Sequence, residues 1–294
     1  MTEGKLFLVA TPIGNLEDIT FRAVQCLKEV DLIACEDTRH SRILLDHYGI
    51  TTRTTSYHEH NKYDKATELV QQMHKGVRVA VITDAGTPGI SDPGEELVKQ
   101  AREAGIEVTS LPGPSAVITA LSMCGLSSRR FVFEGFLPAE KKEHREALAR
   151  LQAETRTIVL YEAPHRIRRT LAELKEVLGD RQIRICRELT KKYEEVLPMT
   201  ISGAQEYFEE TEPRGEMVLI LEGMSEEETL ELRRRKWEGL SIREHVEYYM
   251  QQGMEEMNAS AAKINKTGSA LSDIAALMEQ SIGDIGTQVD QFTA

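Results

Sequence analysis

Short apolar and β-branched runs alternate with amphipathic segments through the first half of the chain. Four such runs are five to seven residues long, which is typical of buried strands: Leu6–Ala10, Asp31–Cys35, Val77–Thr83 and Glu107–Leu111. Helical patterns follow at Glu95–Arg102 and Val117–Cys124. The repeated order of strand, loop and helix predicts five strands between residue 4 and about residue 125, in a parallel sheet with a site along one edge.

The loop that follows the third of these runs, Asp84–Gly94, carries three glycines and two prolines. Such a loop at the carboxyl end of a parallel strand is where open α/β sheets bind ligands, because glycine allows a ligand close to the backbone and proline fixes the turn. We expect exposed backbone N–H groups here, and favour a ligand loop over an ordinary connection. The first strand is not followed by G-x-G-x-x-G and no P-loop motif is present, which argues against a nicotinamide site and a P-loop nucleotide site.

The second half of the sequence predicts another α/β region. Its strands are expected at Phe131–Phe136, Thr157–Tyr161, Ile183–Cys186, Val196–Ile201 and Glu216–Leu221. Its helices are expected at Ala139–Ala153 and at about residues 166–178 and 204–210. The predicted fold class is therefore α/β, with two α/β domains at residues 1–125 and 126–254 followed by a helical tail at 255–294.

The tail has a different pattern from the rest of the chain. From Met257 to Phe292, apolar or small residues recur at alternating spacings of four and three, which is a coiled-coil heptad. This segment resembles the C-terminal part of the signalling domain of methyl-accepting chemotaxis proteins, which indicates a fusion or another junction between unrelated segments. A plain terminal helix that packs on the core is the alternative.

Composition limits the class of protein. Among 294 residues, 40% are hydrophobic and 29% are charged, as in ordinary globular proteins, and no membrane-spanning run or signal-peptide pattern is evident. Four scattered cysteines without a C-x-x-C motif are expected to be buried thiols in a reducing compartment. The net charge of −12 argues against strong, unspecific nucleic-acid binding. Local basic clusters remain: one on the predicted helix from Lys141 to Arg150, one at Arg166–Arg169, and Lys191 with Lys192. A solvated helix face is favoured for each cluster taken singly, and an RNA-facing surface is the interpretation for the three together.

Several long motifs, in order along residues 4 to 254, carry a family resemblance. They are Leu8–Asp18, Glu36–Arg39, Ser56–Asn61, the Asp84–Gly94 loop, Tyr161–Arg166 and Cys186–Glu195. Together they resemble the small-subunit ribosomal RNA methyltransferases of the tetrapyrrole methylase superfamily. This resemblance implies a cytosolic, homodimeric enzyme that uses S-adenosylmethionine. Its implied substrate is 16S rRNA of the small ribosomal subunit, at the ribose 2′-oxygen of a cytidine in the decoding region, expected to be cytidine 1402.

Methyl transfer from a sulfonium needs binding and orientation more than a catalytic triad, and Gly/Pro loops suit that task. The cofactor is therefore expected against Pro12, Asp84, Ala85, Gly86, Ser115 and Ala116. Asp84 is equally well explained as a helix N-cap.

A ribose hydroxyl needs a base or a hydrogen-bond acceptor. The candidates at strand ends are Glu36, Asp37, Glu162, His165 and Glu188, of which Glu162 and His165 are preferred. His165 and Arg166 are alternatively caps of the next helix.

Four basic residues are the candidate RNA contacts: Arg39, Arg166, Lys191 and Lys192. Arg39 is alternatively part of a buried salt bridge with Glu36 and Asp37. His58 and His60 are expected on a strand with both rings on one side, where an RNA contact or an interface is favoured over metal binding because a third ligand is lacking. No metal is predicted.

Two other functions stay open from the sequence. The first is methylation of a small, tetrapyrrole-like molecule, and the second is a signalling or scaffold role for the heptad tail. Motifs over some 250 residues outweigh the tail, so an RNA methyltransferase is the preferred prediction.

Overall fold

The computed structural model describes residues 4–237 together with 250–251, 253–254 and 257–258. The chain divides into two compact units, Met1–Glu226 and Glu227–Ala294. The first unit contains both sheets and every site discussed below. The heptad tail at 255–294 lies almost wholly outside the described residues, and its predicted helix is not tested.

The first sheet contains five strands, all parallel, in the order β3-β2-β4-β1-β5. The strands are β1 (Lys5–Val9), β2 (Leu32–Cys35), β3 (Thr54–Ser56), β4 (Arg78–Ile82) and β5 (Glu107–Leu111). The connecting helices are α1 (Phe21–Glu29), α2 (Thr38–His47), α3 (Lys62–His74) and α4 (Gly94–Glu103), with a short 3₁₀ helix at Leu16–Asp18. The predicted parallel sheet is confirmed.

Helices cover both faces of this sheet because its strands are apolar on both sides. Along β4, Val79 and Val81 pack in one core with α3 and α4, whereas Ala80 and Ile82 pack in the opposite core with α1 and α2. The helices leave the carboxyl ends of the strands uncovered, and the loops there form the part of the sheet where a ligand can bind.

The second sheet also has five strands, in the order β6-β7-β10-β8-β9. The strands are β6 (Phe131–Phe136), β7 (Thr157–Glu162), β8 (Gln182–Arg187), β9 (Glu195–Thr200) and β10 (Met217–Leu221). β6 and β7 are parallel and the other pairs are antiparallel. Three helices, α6 (Lys141–Gln152), α7 (Ile167–Leu178) and α8 (Ile201–Glu210), share a core with one face. The helix that follows β10, α9, spans Glu226–Trp237.

The helix that joins the two sheets is α5 (Ala116–Met123). It follows β5 of the first sheet, yet Val117 and Leu121 pack in one core with Val159 and Val218 of the second sheet. The helix thus links the two sheets next to the loop ends of the first one. The predicted boundary at residue 125 stays a prediction.

Two local predictions are wrong. His58 and His60 follow β3 in a turn rather than lying on a strand, although their rings are 5.9 Å apart. Asp84 does not cap α4, because that helix begins at Gly94, after a loop of nine residues. The thiols of Cys35, Cys124 and Cys186 are buried as expected, but Cys26 is only partly buried.

Candidate functional site

The loops after β1 and β4 hold each other at the edge of the first sheet. Thr11 and Gly86 exchange two backbone hydrogen bonds, of 2.9 and 3.1 Å, and the Thr11 hydroxyl donates to the carbonyl of Thr83 at 3.0 Å. Gly86 has φ of +89°, which L side chains rarely adopt. The glycine is therefore required by the turn that positions the loop.

Asp92 organises the rest of the Asp84–Gly94 loop. Its carboxylate accepts hydrogen bonds from the backbone N–H groups of Gly89 at 3.0 Å, Ile90 at 3.2 Å and Gly94 at 2.6 Å. The expectation of exposed backbone N–H groups is therefore wrong at these positions and at Gly86. These bonds hold the shape of the loop, so the N–H groups of Gly86, Gly89, Ile90 and Gly94 are already occupied within the protein.

A cavity of about 510 Å³ lies beside this loop, between the two sheets. The first sheet contributes residues that follow each of its five strands. The second sheet contributes residues from β6, β7, β8 and β10 and from the loop after β8. The apolar lining includes Ile13, Ala116, Phe136, Tyr161, Leu189, Met217 and Val218. The acidic lining comprises Glu36, Glu59, Asp84, Asp92, Glu188 and Glu216, and Lys191 is the cation among these lining residues. This cavity suits a ligand with a flat apolar part and a positive charge.

Glu36 is the cavity carboxyl with the most perturbed surroundings. Burial raises the pKa of Glu36, and the nearby Asp84 and Asp92 act in the same direction, while a hydrogen bond from the Thr83 hydroxyl at 2.5 Å opposes them. Because burial disfavours the charged form of Glu36, a cationic ligand nearby would stabilise its ionised carboxylate.

Glu188 lies opposite, on a strained loop. Glu188 and Thr190 have φ of 52° and 65°, and non-glycine residues persist in this region only where the surroundings hold them there. The Glu188 carboxylate forms an ion pair with Lys191 at 3.0 Å. Gly215, at the turn before β10, packs against the Glu188 side chain. The backbone is thus arranged to present Glu188 to the cavity.

A second cavity, of about 470 Å³, adjoins the first. Its lining includes the loop from Thr11 to Gly14, Leu16, Ile82 and four residues of α2: His40, Ser41, Ile43 and Leu44. The two cavities have six lining residues in common: Ile13, Thr83, Asp84, Ala85, Lys191 and Glu216. These residues form a shared wall between them.

The structure brings most of the predicted cofactor residues together. Asp84, Ala85, Gly86, Ser115 and Ala116 line the first cavity, and Pro12 lines the second. Asp84 also accepts a hydrogen bond from the backbone N–H of Asp37, at 3.4 Å.

The four predicted catalytic residues separate into two groups. Glu36 and Glu188 line the first cavity, whereas Glu162 and His165 line neither cavity. Glu162 is only 1% exposed, and its carboxylate accepts from the Thr170 hydroxyl and from the backbone N–H of Ala163. His165 is exposed in the turn before α7. These placements disfavour the two preferred candidates and favour Glu188 and Glu36.

The predicted RNA-binding residues are also divided. Lys191 lines both cavities, and Lys192 is exposed with its ammonium 5.4 Å from the centre of the Tyr193 ring. Arg166 donates to the carbonyl of Leu137 at 2.9 Å and lies 3.4 Å from Glu162, which makes it a structural link. It is the N-cap residue of α7, but its side chain makes no capping hydrogen bond.

Arg39 pairs with Asp37 at 3.1 Å, but its side chain is 91% exposed. The alternative of a buried salt bridge is therefore wrong, and this guanidinium is accessible to solvent.

Sequence reasoning missed several residues of the first cavity. Tyr161 stands in a quoted motif and contacts Phe133 and Phe136, with ring centroids 5.0 and 5.4 Å away. Asp92 had a usable signal, because aspartate between glycines often closes a turn. Glu216 had no such signal, because it reaches the cavity only through the pairing of β10 with β7 and β8.

The described part of the chain carries neither a metal cluster nor a membrane-spanning helix. No group of three or more His, Cys, Asp or Glu residues there has the arrangement of a metal site. Within the same residues, no helix combines the length and the apolar character needed to cross a bilayer.

The family model and the related sequences identify the same family for this chain. Residues 5–205 match the model for tetrapyrrole (corrin/porphyrin) methylases. The chain is 47% identical over 257 residues to ribosomal RNA small subunit methyltransferase I of Halalkalibacterium halodurans, which covers 87% of this chain and 88% of the relative. It is 52% identical over 223 residues to the protein of the same name from Haemophilus influenzae, covering 75% and 79% of the two chains.

Solved structures share the fold at low sequence identity. Diphthine synthase superposes with a TM-score of 0.61 at 13% identity, covering 79% of this chain and 95% of that one. Uroporphyrin-III C-methyl transferase from Thermus thermophilus, complexed with S-adenyl homocysteine, superposes with a TM-score of 0.55 at 18% identity, covering 74% and 97%. The resemblance drawn from the motifs is confirmed: the chain belongs to the tetrapyrrole methylase family and, within it, to the ribosomal RNA small subunit methyltransferase I family.

Proposed function

We propose that this protein transfers a methyl group from S-adenosylmethionine to the ribose 2′-oxygen of a cytidine in 16S rRNA, in the decoding region. The observation that carries the proposal is the cavity between the two sheets, in a chain whose relatives at 47% identity are named as small-subunit rRNA methyltransferases. The cytidine and its 2′-oxygen come from the family resemblance. A cytosolic enzyme follows from the same substrate.

The lining of the first cavity fits S-adenosylmethionine. Tyr161, Ile13 and the apolar residues of β10 offer surfaces for the adenine ring, and carboxylates surround the space for the sulfonium and the amine. When bound, this cofactor supplies a methyl group that is already activated for transfer. The residues of this chain bind and orient the two reactants and exclude water.

Glu188 is the proposed acceptor of the ribose hydroxyl proton. It lines the cavity, its backbone is held in a sparsely populated conformation, and Lys191 pairs with its carboxylate at 3.0 Å. A carboxylate oxygen held at the reacting hydroxyl can accept its proton as the methyl group moves. Glu36 is the second candidate, but burial raises its pKa and Thr83 already donates to it, so we assign it to the cationic part of the cofactor.

RNA would reach the site with help from local cations, because the protein as a whole carries a net charge of −12. Lys191, Lys192 and the accessible Arg39 are the proposed phosphate contacts. A few such contacts are enough when an assembled subunit is recognised by its shape.

A homodimer is also proposed, as the family resemblance implied. Apolar side chains on α5 support it, since Ile118 is 56% exposed and Met123 41% exposed. Exposed apolar side chains that cluster on a surface often mark an interface. Light scattering after gel filtration tests this, and a monomer at micromolar concentration would contradict it.

The test of the activity uses ribosomal RNA that lacks the mark. Purified protein is incubated with labelled S-adenosylmethionine and with small subunits, naked 16S rRNA or uroporphyrinogen III, and methylated riboses are mapped. We expect a single 2′-O-methylcytidine in the decoding region. Label transferred only to the tetrapyrrole would support small-molecule methylation instead. Label at a base, or at another nucleotide, would refute the proposed site.

A further inference from the structure

The second sheet carries an excess of positive charge in a protein whose net charge is negative. The whole chain has 36 lysine and arginine residues against 48 aspartate and glutamate residues. Residues 129–200, from just before β6 to the end of β9, have 16 against 12. A charge asymmetry of this kind within one chain is typical of a surface that faces a polyanion.

Strand directions bring three separate basic clusters to one end of this sheet. β6 is parallel to β7, and both β7 and β8 are antiparallel to β10. β6, β7 and β8 therefore run in the same direction, and their carboxyl ends lie at the same end of the sheet. Phe136, Tyr161 and Glu188, which end or follow these strands, line the first cavity. Cations that follow any of the three strands thus gather at the cavity end of the sheet.

Six exposed cations are placed in this way, in the first five residues of α6, the first turn of α7 and the loop after β8. They are called the basic rim: Lys141, Lys142, Arg145, Arg169, Lys191 and Lys192. The buried His144 holds α6 and α7 side by side, because its Nε2 lies 2.9 Å from the Glu173 carboxylate of α7. Neighbouring strands are about 4.8 Å apart and β10 lies between β7 and β8, so the basic rim spans about 15 Å across the sheet. This length covers several phosphates of a nucleic-acid strand.

The lysines of the basic rim are available to a ligand. Within the described residues, the ammonium groups of Lys141, Lys142 and Lys192 have no ion-pair partner. The neighbouring Glu140 is engaged as the N-cap of α6, where it accepts from two backbone N–H groups. Lys141 and Lys142 occupy the first two positions of that helix, where the helix dipole disfavours positive charge. The fold therefore gains no stability from these two charges, which favours a role in binding an anion.

Exposed aromatic rings accompany the cations. Tyr193 is 72% exposed, and the Lys192 ammonium lies 5.4 Å from the centre of its ring. Phe136, at the end of β6, is 44% exposed. Unstacked bases of single-stranded RNA bind by stacking on aromatic side chains while cations hold the phosphates. The combination of rings and cations favours a single-stranded nucleic acid over an acidic peptide.

We propose that the basic rim binds the RNA strand next to the target nucleotide, with Lys141, Lys142 and Lys192 at phosphates and Tyr193 against an unstacked base. The proposal rests on the proposed function, and it adds the surface that holds the substrate outside the cavity. The carboxylates that line the first cavity repel phosphates, so cations outside it must supply the attraction for the strand.

The first test removes charge from the two ends of the same sheet. Lys141→Gln/Lys142→Gln removes two cations of the basic rim, and Arg129→Gln/Arg130→Gln removes two exposed cations before β6, at the opposite end. Binding to unmethylated small ribosomal subunits is measured between about 50 and 200 mM KCl. Each lost phosphate contact should lower the slope of log affinity against log salt by about 0.7, so the rim variant should lose about 1.4 and the control should match the wild type.

The same variants separate substrate binding from catalysis. In Lys141→Gln/Lys142→Gln, KM for small subunits should rise by the same factor as the dissociation constant. Its kcat at saturating subunits, its urea midpoint and its S-adenosylmethionine affinity by calorimetry should stay at the wild-type values, because both lysines are exposed and neither lines a cavity.

The second test removes the aromatic ring. Tyr193→Ala should weaken binding by about tenfold with an unchanged salt slope, because stacking releases no counterions. Tyr63→Ala is the matched control: Tyr63 is 61% exposed on α3, and the Lys62 ammonium also lies 5.4 Å from its ring centre. The control should bind small subunits like the wild type.

The outcomes separate the basic rim from the function on which it rests. Wild-type affinity and slope in Lys141→Gln/Lys142→Gln would overturn the rim while the methyltransferase stands. Equal losses in the two double variants would show an effect of net charge alone and would also overturn it, as would rim-dependent binding to phosphatidylglycerol vesicles without binding to small subunits. Rim-dependent binding to small subunits without methylation of any ribosomal RNA would support the surface and refute the proposed function.

Discussion

Gly215 is the position from which the role of Glu188 can be tested without changing that residue. Gly215 has φ of +72°, and a Cβ atom built on it would come within 3.0 Å of Cδ of Glu188 and closer still to one carboxylate oxygen. Gly215→Ala therefore introduces two effects: backbone strain, and displacement of the Glu188 side chain from the cavity.

Gly105 separates these effects. Its φ is +73°, the same as at Gly215 within a degree, but nothing lies within 4 Å of the added Cβ. The left-handed conformation costs an alanine about 1–2 kcal/mol, so both variants should lose that much stability towards urea. Displacing Glu188 also breaks its ion pair with Lys191, but a partly exposed pair adds only about 0–1 kcal/mol.

The activities should differ far more than the stabilities. If Glu188 accepts the ribose proton, Gly215→Ala should slow single-turnover methyl transfer on the order of a hundredfold, because a positioned base contributes about that much. Gly105→Ala should transfer at the wild-type rate. Equal rates in the two variants, with similar urea midpoints, would show that the position of Glu188 does not matter and would refute the reasoning.

Three other predictions concern separate parts of the chain. Glu188→Gln should slow single-turnover methyl transfer while cofactor affinity falls no more than a few-fold. Glu162→Gln should mainly lower the urea midpoint, because Glu162 is buried and hydrogen-bonded to Thr170. The reverse pattern in these two measurements would return Glu162 to the site. Two hydrogen bonds from the Arg156 guanidinium lower the pKa of Glu154 from the ordinary 4.5 to about 2. The ionised Glu154 therefore stabilises the folded state at pH values above about 4.5, and this stabilisation is lost as the pH falls from about 4.5 to about 2. Urea unfolding should thus show a deficit of Glu154→Gln against the wild type at pH 6 that vanishes near pH 2, and a pH-independent deficit would contradict the assignment. A chain that ends at Met254 should dimerise and methylate rRNA like the full chain, because the heptad pattern begins where the family motifs end. Loss of the dimer in light scattering, or of activity in the methylation assay, would make the tail part of the enzyme.

Local sequence patterns are enough to locate most strands and helices, and the end of the first sheet that carries the site. Short apolar runs specify β1, β2 and β4, because apolar residues on both sides of a strand can be buried only under two layers of helices. Glycine and proline after β1, β4 and β5 located the site, since such turns depend on local backbone geometry. Five of the six predicted cofactor residues therefore line one cavity.

Which side chains reach that cavity was decided by tertiary structure. Tyr161 and Glu162 are neighbours on β7 and point to opposite faces, so Tyr161 lines the cavity and Glu162 is buried beside Thr170 of α7. The alternation was visible in the sequence, but it does not say which face meets the first sheet. Glu216 enters the site only because β10 pairs between β7 and β8. Strand pairing and the packing of α5 on the second sheet join residues distant in the chain, and a local pattern carries no information about such contacts.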